Sequence, residues 1–227
     1  MCFTPLISLS TAIIEFILAT ILLLFFKKTI FRNFFIILIY LLGFYQLTEF
    51  MLCKGGNTIF WAIIGFLTYN FLPAIGLHAV LKFLNKKFNI LLLYFIPILV
   101  SFLVIIFPVF VDARCSKFFV NVKTIFHNAL FLNSIPFYFY IFYYAGFIIF
   151  ACYLLYKDYT RQRNKIRKEL DVIEISGILL MTIPTFVLIL LVPFLGIEFP
   201  SVLCRFAIFV AIAAFLGATL EGKIRKG

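Results

Sequence analysis

The sequence predicts an all-α, polytopic membrane protein: a bundle of seven transmembrane helices with an outer N-terminus and a cytoplasmic C-terminus. Of its 227 residues, 65% are hydrophobic and only 13% are charged, a composition outside the range of soluble domains. Seven apolar stretches have the roughly 20 residues that a helix needs to cross the hydrocarbon core. The connections are too short for a second folded domain, so residues 1–227 form one domain. The stretches are approximately residues 5–26, 34–53, 58–81, 90–110, 136–156, 172–194 and 201–220.

The basic residues set the predicted orientation. Fifteen of the 20 lysines and arginines follow spans 1, 3, 5 and 7, and the positive-inside rule assigns such connections to the cytoplasm. The distribution of the net charge of +11 is therefore explained by membrane topology, and the charge does not indicate binding to nucleic acid. Two interpretations of the inner basic loops stay open, contact with anionic lipid or a docking surface for a cytosolic partner. The other side keeps only Lys54, Arg114, Lys117, Lys123 and Arg205.

Spans 1 and 2 each carry a polar stripe. Span 1, which is predicted to be a retained helix rather than a signal peptide, has Ser8 and Glu15 on one face, and span 2 has Gln46 and Glu49 one turn apart. An ionisable side chain facing lipid costs roughly 3 kcal/mol or more, so both stripes are expected to face the bundle interior. Arg205 of span 7 lies at similar outer depth and is expected to pair with Glu49 or Glu15. This cluster either only fixes the bundle or forms a ligand or proton site.

Span 3 contains a proline and two polar residues. Pro73 interrupts the helical hydrogen-bond ladder, so a kink is predicted there, and Asn70 is placed to satisfy a carbonyl that the proline frees. His78 is expected to be a bundle-facing structural histidine, with a ligand as the alternative. Trp61 is predicted to join an interfacial aromatic belt with Tyr138 and Tyr140 of span 5.

Outside the membrane, the outer loop of residues 111–135 is the one sizeable piece. Val120 and Val122 alternate with polar residues there, which predicts a short strand, and the loop is expected to lie over the bundle mouth as a lid. On the inner side, the segment YKDYTRQRNKIRKELDVIE is predicted to extend spans 5 and 6 as helix, because Arg163, Arg167 and Asp171 repeat every four residues. Span 7 presents a stripe of small side chains that favours close helix packing, formed by Cys204, Ala207, Ala211, Ala214 and Ala218.

The cysteines cluster on the predicted outer side. In an oxidising compartment, Cys115 of the outer loop can pair with Cys53 or with Cys204, and the alternative is that these are buried thiols. No metal site is expected, because the sequence has no CxxC motif and His78 and His127 are predicted to lie on opposite sides of the membrane.

Three sequence patterns resemble the N-terminal seven-transmembrane sensor region of bacterial and archaeal histidine kinases. They are Trp61 followed by LPAIGLH, which ends at His78, then RKELDVIEISG, and GIEFPSVL before span 7. The resemblance implies a multi-pass protein of the cell membrane, most simply a prokaryotic inner membrane. It further implies that such a region senses through the membrane or its outer face and signals to cytoplasmic domains. The sequence shows neither a phosphorylatable dimerisation helix nor an ATP-binding domain, which predicts a stand-alone sensor module.

Three functions are compatible with these patterns. The first is a receptor-like sensor that binds a small ligand or responds to the membrane and signals to a cytosolic or membrane partner, with a homodimer as one arrangement. The second is a small proton-coupled transporter, and the third is a structural subunit of a membrane complex. The sequence contains no GxSxG, HExxH or Walker-type motif and no lysine in span 7 for a retinal Schiff base. No enzymatic activity and no cofactor are therefore expected.

Overall fold

The computed structural model describes residues 3–107, 110–115, 120–124, 135–191 and 203–224. In this part of the chain, most residues are helical, and a small hairpin lies between the fifth and sixth helices. The elements, in order, are α1 (Phe3–Phe25), α2 (Ile30–Lys54), α3 (Thr58–Asn70), α4 (Leu72–Phe83), α5 (Ile90–Ile106), β1 (Phe110–Cys115), β2 (Val120–Thr124), α6 (Ile135–Arg161), α7 (Lys165–Leu191) and α8 (Leu203–Ile224).

Four helical segments among the described residues are long and apolar enough to cross a membrane, namely Pro5–Phe25, Arg32–Lys54, Thr58–Phe83 and Phe139–Arg161. Two shorter apolar helices, Ile90–Ile106 and Ile208–Leu220, accompany them. Large apolar side chains also point outward, as at Leu91, which is 76% exposed. Since soluble proteins rarely expose extensive apolar surface, the outer face of these helices is suited to lipid.

Small and branched side chains from five helices build the central core. α1 and α2 form an antiparallel pair along which Phe16 contacts Phe44 at 5.8 Å between ring centroids and Thr20 contacts Tyr40 at 3.1 Å between hydroxyl oxygens. α8 packs its alanine stripe into this pair together with α4 and α7. The shared core consists of Ala19, Leu22, Phe35, Ile36, Ile39, Ala79, Leu170, Ala211, Ala214 and Ala218.

The interruption predicted in span 3 occurs at a single residue, Phe71. α3 ends at Asn70 and α4 begins at Leu72, with Phe71 between them and Pro73 at the start of α4. A proline fits the first turn of a helix because the N–H it lacks would have no partner there. The predicted third span is therefore two helices in sequence.

The hairpin lies at the end of α2. β1 pairs antiparallel with β2, Cys115 standing opposite Val120, so the strand signal at residues 120–123 is found as β2. Phe110 and Val122 pack beside Leu52 and Trp61. Residues 116–119 and 125–134, on which most of the predicted lid falls, lie outside the described residues.

Candidate functional site

The buried polar side chains occupy inward faces of the helices. In a membrane protein such groups are expensive to bury and mark functional sites unless they only hold the bundle together. Four of them belong to the stripes predicted in spans 1 and 2, and we call these the α1–α2 polar cluster. Its members are Ser8 (2% exposed), Glu15 (0%), Gln46 (0%) and Glu49 (2%).

A hydrogen bond crosses between the two helices in this cluster. The hydroxyl of Ser8 on α1 donates to Oε2 of Glu49 on α2 at 3.3 Å. Glu49 lies less than two turns before the end of α2 at Lys54, so the bond joins the N-terminal part of α1 to the C-terminal part of α2. This contact fixes the depth at which the two polar stripes meet.

Glu15 lies two turns beyond Ser8 on the same face of α1. Ala12 and Ala19, on either side of it, are 1% and 0% exposed, so the face is closed around the carboxyl group. Neither carboxyl oxygen of Glu15 has a hydrogen-bond partner within the residues described above. Buried polar atoms almost always have a partner, and Glu15 therefore retains unused hydrogen-bonding capacity in the interior.

α8 approaches this cluster in an antiparallel register with α2. Gly217 lies beside Phe35, and Val210 packs in the small core that holds Leu42. Continued along the two helices, this register brings the start of α8 to the level of Gln46 and Glu49. The side chain of Arg205 lies outside the described residues, so its expected pairing with Glu49 or Glu15 stays a prediction.

Asn70 belongs to a separate junction of three helices. Its Nδ2 donates to the Pro97 carbonyl at 2.8 Å and to Ser101 Oγ at 3.0 Å, both on α5. The hydroxyl of Tyr143 on α6 donates to the Asn70 carbonyl at 2.8 Å. The expectation that Asn70 serves a carbonyl freed by Pro73 was wrong, because its side chain bonds to α5 instead.

Tyr140 lies in the interior rather than in an interfacial belt. Its ring is 5.6 Å from Phe66, 6.5 Å from Tyr69 and 5.9 Å from Tyr144, measured between ring centroids, and its hydroxyl oxygen is buried. The sequence interpretation was wrong here because a tyrosine near the end of a span can face either lipid headgroups or a neighbouring helix. The side chain of Tyr138 lies outside the described residues.

His78 makes a third, separate set of contacts. Its Nδ1 is 3.0 Å from the hydroxyl of Tyr94, and its ring packs 4.6 Å from Phe34 and 5.0 Å from Phe88. Phe34 and Glu49 are separated by about 22 Å of helix at 1.5 Å per residue. His78 is therefore a bundle-facing residue that does not share a site with the α1–α2 polar cluster.

A disulfide joins Cys53, near the end of α2, to Cys115 of β1, with 5.0 Å between the α-carbons. This is one of the two pairings that the sequence left open. The side chain of Cys204 lies outside the described residues. Cys152 of α6 is a free, half-buried thiol. The hairpin is thus attached covalently to the helix end that it covers.

Sequence reasoning missed a second acidic group at the other end of the bundle. Asp171 is fully buried, and Glu174 is one turn further along α7. Nearby, Arg167 Nε bonds to Asp158 Oδ2 at 2.9 Å. Burial, and to a lesser degree the negative charge of Asp158, raises the pKa of Asp171 to about 7, while the positive charge of Arg167 opposes the shift. Asp171 and Glu174 stand i, i+3 in RKELDVIE, and this spacing is the signal that was overlooked.

No cluster of three or more His, Cys, Asp or Glu side chains that could hold a metal ion occurs among the residues that the structure describes. No protein-family model, curated protein or solved structure matches the chain. The candidate sites are therefore described by their own geometry: a polar cluster on α1 and α2, a structural junction at Asn70, and an acidic pair on α7.

Proposed function

We propose that the chain is a receptor-like sensor module of a cell membrane, in which a stimulus at the α1–α2 polar cluster changes helix packing and is read by a partner on the cytoplasmic side. The observation that carries the proposal is Glu15. Its carboxyl group is completely buried and has no hydrogen-bond partner in the described part of the chain. This unused capacity supports a proton or small-ligand site rather than an interface that only packs.

The proposed topology has seven spans, with α3 and α4 together forming the third. Two independent features support an outer N-terminus. The disulfide at the Lys54 end of α2 requires an oxidising compartment, and the opposite end of α2 adjoins the basic pair Lys27 and Lys28, as the positive-inside rule requires of a cytoplasmic end.

Impermeant maleimide labelling tests this topology. Single cysteines replacing Lys117 and Arg163, in a background without other free thiols, should be labelled from opposite sides of sealed vesicles. Labelling of both positions from the same side would contradict the orientation.

The coupling step uses helices that reach both ends of the bundle. α2 carries Glu49 near its outer end and Arg32 at its inner end, and α8 packs against α2, α1 and α7. A change at the polar cluster that shifts α2 or α8 therefore also moves the inner connections. The exposed basic residues there, which include Lys27, Lys28 and Lys86, form the surface that a cytosolic partner would contact.

A proton-coupled carrier is the second candidate, and one observation favours it. The break between Asn70 and Leu72 divides a membrane-depth helix, and discontinuous helices form the binding sites of many secondary transporters. In that function Glu15 would release its proton to the opposite side of the membrane. A structural subunit is the third candidate and requires no response at Glu15.

Reconstituted vesicles separate the three functions. The pH outside the vesicles is changed in one step. Two quantities are then followed: the distance between spin labels on the inner connections, and the pH inside the vesicles. A sensor should change the label distance without proton flux, and Glu15→Gln should abolish the change. Glu15-dependent flux would favour the carrier, and no response of either kind would favour the structural subunit. Ser10→Ala, at an exposed position of α1, is the control.

A further inference from the structure

Two acidic residues lie one turn apart near the start of α7, away from the α1–α2 polar cluster. Asp171 and Glu174 are three residues apart and so occupy neighbouring positions on one helical face. Asp171 is 0% exposed, and neither of its carboxyl oxygens has a hydrogen-bond partner in the described ranges. Oε1 of Glu174 is likewise buried and unbonded within those ranges. Two such groups cannot both carry a charge without large cost.

The surroundings of Glu174 are small and apolar. Its Oε1 lies against the backbone of α8 at Gly217, where an added methyl group would overlap it, and the Phe35 ring lies 3.0 Å from the same methyl position. One turn away, Gly177 of α7 faces Ala213 of α8. Among the described residues, these packed faces supply no hydrogen-bond donor to Glu174 Oε1.

The cation beside this pair is already engaged elsewhere. Arg167 bonds to Asp158 of α6 through Nε at 2.9 Å and to the Phe83 carbonyl through Nη2 at 3.4 Å. Its guanidinium also lies 4.1 Å from the centroid of the Phe83 ring. Arg167 thus joins α4, α6 and α7, and it influences Asp171 only through its charge.

This end of the bundle also carries the basic inner connections, whose lysines include the exposed Lys27, Lys28 and Lys86. On α2, Arg32 is buried and bonds to the Phe26 carbonyl and to Asn33. On α7, Glu169 is exposed. On α8, the side chains of Glu221 and Lys223 lie outside the described residues.

From this geometry we infer that Asp171 and Glu174 form a proton-binding site, in which the two carboxyl groups hold one proton between them. The O–H of one acid donates to the carboxylate of the other, which satisfies both groups and reduces two negative charges to one. The ligand is the proton itself, taken from the solution on the side where α7 begins and returned to it. No other reactant is needed. The inference does not depend on the sensor function, which rests on Glu15.

Infrared spectroscopy of the full-length protein in nanodiscs tests the shared proton. Glu15 and the other acids contribute equally to the wild type and to the double variant Asp171→Asn, Glu174→Gln, so the difference between the two spectra should contain the carbonyl stretch of a protonated carboxylic acid. In each single variant the remaining acid no longer faces a second carboxyl group, so its titration midpoint should fall by about one pH unit or more. Glu169→Gln, at an exposed site on the same helix, should change neither the band nor the midpoint.

Two outcomes overturn the inference: a difference spectrum without a carbonyl band, or single variants that titrate at the wild-type midpoint. If these variants fail to fold, Asp171→Glu and Glu174→Asp keep both acids but change their geometry. Each should shift the frequency of the band, and a band that neither variant moves also overturns the inference.

Discussion

The side chains of Asn70 on α3 and Ser101 on α5 meet at 3.0 Å between Nδ2 and Oγ, directly below the point where the third span breaks. The same Nδ2 reaches the Pro97 carbonyl, and Tyr143 bonds to the Asn70 carbonyl from α6. The broken helix is therefore held by polar contacts with two neighbours. Such contacts satisfy backbone groups that the lipid could not.

Asn70→Ala should destabilise the protein more than Ser101→Ala. The asparagine change leaves both the Pro97 carbonyl and Ser101 without this donor, whereas the serine change removes one acceptor and leaves the other. On typical values we expect a loss of about 2–3 kcal/mol for Asn70→Ala and about 1 kcal/mol for Ser101→Ala. Unfolding in mixed detergent measures both losses, and equal losses would contradict the described junction.

Removing the disulfide should lower stability once, whichever cysteine is replaced. Cys53 and Cys115 are 62 residues apart, and a bond that closes a long loop typically contributes about 2–4 kcal/mol. Cys53→Ser, Cys115→Ser and the double variant should therefore lose similar amounts of unfolding free energy. Cys152→Ser, at the free thiol of α6, is the matched control and should have little effect. Additive losses in the double variant would argue against a bond between these two residues.

Helical periodicity was sufficient to predict which faces point inward. Glu15, Gln46 and Glu49 could be assigned to the interior because a carboxyl or amide at these positions has no stable place in lipid, and the structure buries all three. The alternation around Val120 likewise indicated β2. These features depend on the spacing of nearby residues and on whether a side chain is stable in lipid, and both can be judged from the sequence alone.

Partners across the bundle could not be predicted in the same way. Asn70 meets Pro97 and Ser101, 27 and 31 residues further along the chain, and nothing local distinguishes that contact from one within its own helix. Asp171 was interpreted as part of a helical extension on the inner side because it repeats with Arg163 and Arg167 every four residues. Its burial follows from how α7 packs against the other helices, which periodicity does not specify.

Gly217→Ala and Gly76→Ala should have opposite effects on stability. A methyl group at Gly217 would overlap the Glu174 carboxyl and press on the Phe35 ring, whereas nothing lies within 4 Å of the corresponding position at Gly76. We expect Gly217→Ala to cost about 1–3 kcal/mol through overpacking. Gly76→Ala should stabilise the protein by up to about 1 kcal/mol, because alanine favours a helix over glycine. Stabilisation by both changes would show that α7 and α8 are less closely packed than described.

The stability of the protein should fall as the pH rises from about 4 to about 7, and Asp171 should account for part of that fall. Burial raises the pKa of Asp171 from 3.8 to about 7 in the folded protein. Over this interval the folded state binds a proton that the unfolded state has released. The resulting stabilisation is complete below the pKa of the unfolded state and is lost as the pH rises through the pKa of the folded state. Asp171→Asn resembles the protonated acid and removes this pH-dependent contribution to stability.

The stability of Asp171→Asn relative to wild type should therefore increase with pH, by at most about 1.4 kcal/mol per pH unit between the two pKa values. The gap should stop widening above pH 7. Unfolding free energies in mixed detergent at a series of pH values measure it, and Glu169→Gln supplies an exposed acid on the same helix that should run parallel to wild type near neutral pH. If the Asp171→Asn curve also ran parallel to wild type between pH 5 and 7, the carboxyl group would already be ionised in the folded protein and the assignment of a buried, protonated Asp171 would be wrong.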